Sequence, residues 1–88
     1  MEQYKAYKKT IKELFKLYKK KNHDYGNSFH NIYKRFGLLT SIIRLSDKLE
    51  RLETLMITKN KVDESIKDTL KDLANYSILT LIELDEDK

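Results

Sequence analysis

Asp47 and Glu50 stand three residues apart in the segment SDKLERL, and Asp68 and Asp72 stand four apart in DTLKDLANY. Residues at these spacings share one face of a helix, so each segment would project two carboxylates together. If two such helices pack side by side, four carboxylates converge. An oxygen-rich cluster of this kind suits a hard divalent cation, Mg²⁺ or Mn²⁺.

Ordinary ion pairing produces the same spacings. Asp47 and Arg51 form an i,i+4 pair that on a wet face contributes only a few tenths of a kcal/mol. Asp68 and Asp72 could pair with Lys71 or with lysines near the N-terminus. The position of the second pair on its helix is more telling. At 100° per residue, Asp68, Asp72 and Asn75 fall within about 60° of one another. The same stripe continues as Leu79 and Ile82. Carboxylates entering an apolar interior cost several kcal/mol unless partnered, so this stripe calls for a cation or for Lys/Arg partners.

Helices must position these groups, because strand alternation is missing and apolar residues recur with helical period. The first helix is expected over 2–21, with Tyr4, Tyr7, Ile11, Leu14, Phe15 and Tyr18 on its apolar side. Asn22 and the HDYGNS segment are expected to end it, with Gly26 relieving the turn. Ser28 then caps a short helix over 29–36, which Gly37 terminates. A long helix over 38–57 carries the stripe Leu38, Ile42, Leu45, Leu49, Leu52 and Met56. The last helix, over 63–84, has Asp63 as its cap and is apolar nearly all round from Ala74 to Leu84. The expected fold is all-α: a small antiparallel bundle of three long helices and one short helical segment, forming one domain, 1–88, and completed by oligomerisation.

Eighty-eight residues give a small core, and without cysteine no disulfide or thiolate site can reinforce it. A chain this short often gains stability by oligomerising, with Ala74–Leu84 as the expected interface. No apolar run approaches a membrane span, and MEQYKAYKK is too polar for a signal peptide, so a cytoplasmic protein without membrane contact is expected. The net charge is +4, but unevenly placed: residues 1–35 hold ten Lys/Arg against three acids, and residues 63–88 eight acids against three lysines. A basic half of this kind suits nucleic acid, an anionic small molecule, or the acidic half itself. Pairing within the fold is favoured over nucleic acid, since no nucleic-acid motif is present and the first helix has an apolar side.

The order of these elements resembles the all-α nucleoside triphosphate pyrophosphohydrolases of the MazG type. Their acidic pattern on consecutive helices would read here Asp47-x-x-Glu50, then Asp68-x-x-x-Asp72. Asp47 and Asp68 stand where glutamate is usual, and Ser46 where a further glutamate is common. A closer resemblance, through KNHDYGNSF, GLLTSIIRLSDKLERLETL and DESIKDTLKDLANYSILTLIEL, is to the nucleotide modification associated domain, a small family of phages and bacteria.

The MazG-type resemblance implies Mg²⁺-dependent cleavage of a nucleoside triphosphate to the monophosphate and pyrophosphate. Asp47, Glu50, Asp68 and Asp72 would hold the metal, and Glu50 has the reach to act as general base. Lys21, Arg44, Lys48 and Arg51 would contact phosphate oxygens, the arginines bidentately. His23 would bind phosphate or carry a proton, with Asp24 beside it, Tyr25 would stack on a base, and Asn75 would read a base or ribose edge. The expected function is therefore that of a nucleotide pyrophosphohydrolase. The alternatives are a nucleotide-binding protein that does not hydrolyse its ligand, and a nucleic-acid or protein-binding helical module.

Overall fold

The computed structural model describes residues 2–25, 27–58 and 62–86, with side chains at all of these except 24, 25 and 62–64. Four α-helices follow one another: α1 (Glu2–Tyr25), α2 (Ser28–Phe36), α3 (Leu38–Ile57) and α4 (Val62–Glu86). The all-α architecture is as the periodicity predicts. α1, however, does not stop at Asn22 but continues through Tyr25. Asn22 and Asp24 disfavour a helix by only a few tenths of a kcal/mol each, too little to end one already propagating.

Ser28 is the first residue of α2, not its cap. Asn27 holds the cap position and makes no side-chain capping bond. α4 starts at Val62, which places Asp63 inside the first turn; its side chain, and with it the expected cap, lies outside the described residues. So does Gly26. Gly37 alone joins α2 to α3, at φ 67° and ψ −151°, a backbone region essentially reserved for glycine. Its N–H donates to the Tyr33 carbonyl at 2.7 Å, closing α2 as α3 begins.

α3 and α4 run antiparallel along each other. Ser41 meets Thr80 at one end of the seam and Lys48 meets Asp72 near the other. The Thr80 hydroxyl donates to the Tyr76 carbonyl at 2.7 Å, so the Ser41 hydroxyl is the donor to Thr80. Thr40, Ser41, Thr69 and Thr80 are all buried, and such small side chains let the two helices approach closely. α2 packs on both, while α1 leans mainly on α4.

This arrangement buries a different side of α3 from the predicted stripe. Leu45 and Leu52 are half-buried as expected, but Leu38, Ile42, Leu49 and Met56 stay exposed. The inward line is instead Ser41, Leu45, Lys48 and Leu52. On α4, Leu70, Ile78, Leu81, Ile82 and Leu84 are likewise exposed, as are Tyr4, Tyr7, Ile11 and Phe15 on α1. Among the described apolar side chains only Leu14 and Tyr33 are buried. The radius of gyration, 14.5 Å, exceeds the roughly 12 Å of a compact chain of this length. One chain therefore leaves apolar faces open on three helices.

Candidate functional site

Asp72 is the hub of the α3–α4 seam. Its Oδ1 accepts from Lys21 Nζ of α1 at 2.7 Å, and its Oδ2 pairs with Lys48 Nζ of α3 at 3.1 Å. Thus three helices meet at one carboxylate. Burial pushes the Asp72 carboxyl up, but hydrogen bonds and charge from the two lysines outweigh it and hold the group below the ordinary aspartate value. The lysine partnership expected between α1 and the last helix is present, for Asp72 only.

On one side of Asp72 lies a cleft of about 480 Å³ between α3 and α4. Asp47, Lys48, Glu50 and Arg51 line it from α3, and Asp68, Thr69 and Asp72 from α4. All four predicted carboxylates therefore face one space. Asp47, Glu50 and Asp68 are exposed, and no ion pair among the described residues engages them. The ordinary Asp47–Arg51 pair does not form. The cleft gathers four carboxylates beside Lys48 and Arg51, but no three of the four bring ligand atoms within 4.8 Å of one another.

On the other side Asp72 opens into a larger cavity of about 620 Å³ between α1, α2 and α4. Tyr18, Lys21 and Asn22 of α1 form one wall, Phe29 and His30 of α2 another. α4 supplies Asn75, Tyr76, Leu79, Ile82, Glu83 and Glu86, one continuous helical stripe beyond Asp72. Phe29 and Tyr76 lie with ring centroids 5.7 Å apart, and Tyr33 continues the cluster at 6.0 Å from Phe29. Asn75 Nδ2 donates to the Leu14 carbonyl at 3.3 Å, so it bonds across helices while lining the cavity. At the far end His30 Nδ1 donates to Glu83 Oε2 at 2.7 Å.

A model of the family described as nucleotide modification associated domain 1 matches residues 21–84, 64 of the 88 residues. The chain belongs to this family. No curated protein and no solved structure matches it. Within the nucleotide modification associated domain 1 stretch fall both lysines that hold Asp72, all four cleft carboxylates and the His30–Glu83 pair. Among the described residues, no helix is long and apolar enough to cross a membrane.

Of the other residues singled out from the sequence, Lys21, Lys48, Arg51 and Asn75 line one or other space. Arg44 and His23 are exposed and line neither. The side chains of Asp24 and Tyr25 lie outside the described residues. Sequence reasoning passed over Tyr18, Phe29, His30 and Glu83 as site residues. Glu83 carried a signal: an acid within the otherwise apolar stretch Ala74–Leu84, where an unpartnered carboxylate would be costly.

Proposed function

We propose that this protein binds a nucleoside triphosphate across Asp72 and cleaves it to the monophosphate and pyrophosphate. The observation that carries this reading is that Asp72 lines both spaces, the cleft with four carboxylates and two cationic side chains and the cavity with aromatic walls. An aromatic cavity with a few polar groups suits a base and sugar. The acidic cleft suits phosphates brought in with a cation.

Asp47, Glu50, Asp68 and Asp72 would hold Mg²⁺ or Mn²⁺, which when bound neutralises phosphate charge and acidifies an attacking water. Lys48 and Arg51 would contact phosphate oxygens from the α3 wall, and Lys21 from α1. Phe29 and Tyr76 would pack against the base, with Asn75 at its edge. Glu50, exposed and without an ion-pair partner among the described residues, would take the proton from the water that attacks the α-phosphorus, as the bond to the pyrophosphate leaving group breaks.

The test is pyrophosphate release from a panel of nucleoside triphosphates, modified pyrimidines included, with Mg²⁺ present. Release abolished by EDTA and by Asp72→Asn supports the proposal. One observation favours a second reading, binding without hydrolysis: both Asp72 oxygens are already engaged by lysines. Saturable nucleotide binding with no pyrophosphate would select that reading. Absence of binding to any member of the panel would overturn both.

A further inference from the structure

We propose that His30, Glu83 and Glu86 form a second metal site, for a transition-metal dication of the Zn²⁺ class, at the end of the larger cavity away from Asp72. One donor atom from each of the three lies within 4.8 Å of the others. Among the described residues no other trio of potential ligands is drawn together so closely. The helices explain the convergence. Glu83 and Glu86 are three apart on α4 and so share a face, and α2 lays His30 across it.

The donor set decides the metal. An imidazole nitrogen with two carboxylates suits Zn²⁺, whose bonds to such ligands run about 2.0–2.2 Å. Ligand atoms around a tetrahedral ion stand roughly 3.3 Å apart, so His30 Nδ1 and Glu83 Oε2, hydrogen-bonded at 2.7 Å, would open slightly and exchange that bond for the metal while Glu86 closes in. Mg²⁺ prefers oxygen alone and retains its waters, which separates this site chemically from the acidic cleft. It is separate in space too: Glu83 lies eleven residues beyond Asp72 on α4, about 16 Å along the axis.

Two further features point to a cation. The Glu83 side chain is only 8% exposed, and the partner recorded for it is an imidazole, not a lysine or arginine. A dication bound beside a carboxylate so buried would offset the cost of its burial. All three side chains also line the 620 Å³ cavity, which supplies an entry path and room for a fourth ligand. Three protein ligands with an open position is the arrangement of zinc sites that bind or activate a small molecule.

Calorimetric titration of the whole chain with ZnCl₂ tests the proposal, alongside the visible spectrum of the Co²⁺-substituted protein. One ion per chain is expected, undisturbed by millimolar Mg²⁺. Glu86→Gln alters an exposed residue in the last turn of α4 and leaves folding intact, yet should weaken Zn²⁺ binding at least tenfold. His30→Ala should do the same and remove the Co²⁺ absorption bands. Asp68→Asn and His23→Ala should leave affinity within twofold. Zn²⁺ binding that is absent, that survives both Glu86→Gln and His30→Ala, or that vanishes in Asp68→Asn would overturn the proposal. The outcome is independent of whether any nucleotide binds.

Discussion

Lys21 and Asp72, 51 residues apart in the chain, are joined by a 2.7 Å hydrogen-bonded ion pair that ties α1 to the α3–α4 seam. Lys48 approaches the other carboxylate oxygen, so α1 is oriented through a group that also faces both candidate binding spaces. Docking of α1 and the electrostatics of the site are therefore linked.

A pH dependence follows from that linkage. The folded-state value of Asp72 is depressed, so its stabilising contribution is present above the unfolded-state value and is lost as pH falls through the folded one. Acid melts should show stability declining below about pH 4, the ordinary aspartate range. Asp72→Asn should flatten that decline. Since Lys21 is half exposed, the substitution should cost only about 1 kcal/mol at neutral pH, or some 5 °C in Tm.

Gly37 tests the turn between α2 and α3. A Cβ there would meet nothing within 4 Å, so Gly37→Ala isolates the backbone cost of φ 67° from any clash. Urea unfolding should show a loss of about 1–3 kcal/mol. A neutral result would mean that α2 and α3 meet in a different conformation.

The two arginines of α3 separate the cleft from the general basic character of the chain. Arg51 lines the cleft and Arg44 does not. Arg51→Ala should weaken nucleoside triphosphate binding by about tenfold or more, the worth of a charge-assisted hydrogen bond of 1.5–3 kcal/mol. Arg44→Ala should leave it within twofold. Equal effects would indicate unspecific charge attraction in place of a defined phosphate contact.

The exposed apolar faces should be covered by a second copy of the chain. Light scattering at micromolar concentration is expected to give a mass at least twice the 10.5 kDa of one chain. Leu81 is 62% exposed, so in an isolated chain Leu81→Asp would change stability by no more than about 0.5 kcal/mol. In an assembly it would bury a charge and shift the protein toward monomer or unfolding. A monomeric wild type with unchanged stability in Leu81→Asp would rule the assembly out.

Much of the architecture is legible in local patterns. Periodicity marks four helices because helical spacing repeats within each segment, and Gly37 marks the break because no other residue adopts that backbone angle readily. The carboxylate pairs are legible for the same reason: Asp47 with Glu50, and Asp68 with Asp72, are neighbours along their own helices. Their common cleft needed only the expectation that the two helices lie side by side. The side of α3 that turns inward was not legible, since Leu38, Ile42, Leu49 and Met56 form as good an apolar stripe as any. Ser41 and Lys48 face inward because their partners on α4 are there to receive them.

By itself, then, the sequence determined an all-α chain, its family and the two acidic helix faces, all properties of residues near one another in the chain. Tertiary structure alone decided that Lys21 and Lys48 share Asp72, that Asp72 stands between a polar cleft and an aromatic cavity, and that His30 meets Glu83 53 residues away. Such pairings depend on the rotation and offset of whole helices about their axes. Those are set by packing across the bundle, where any of several apolar stripes satisfies the local pattern equally well.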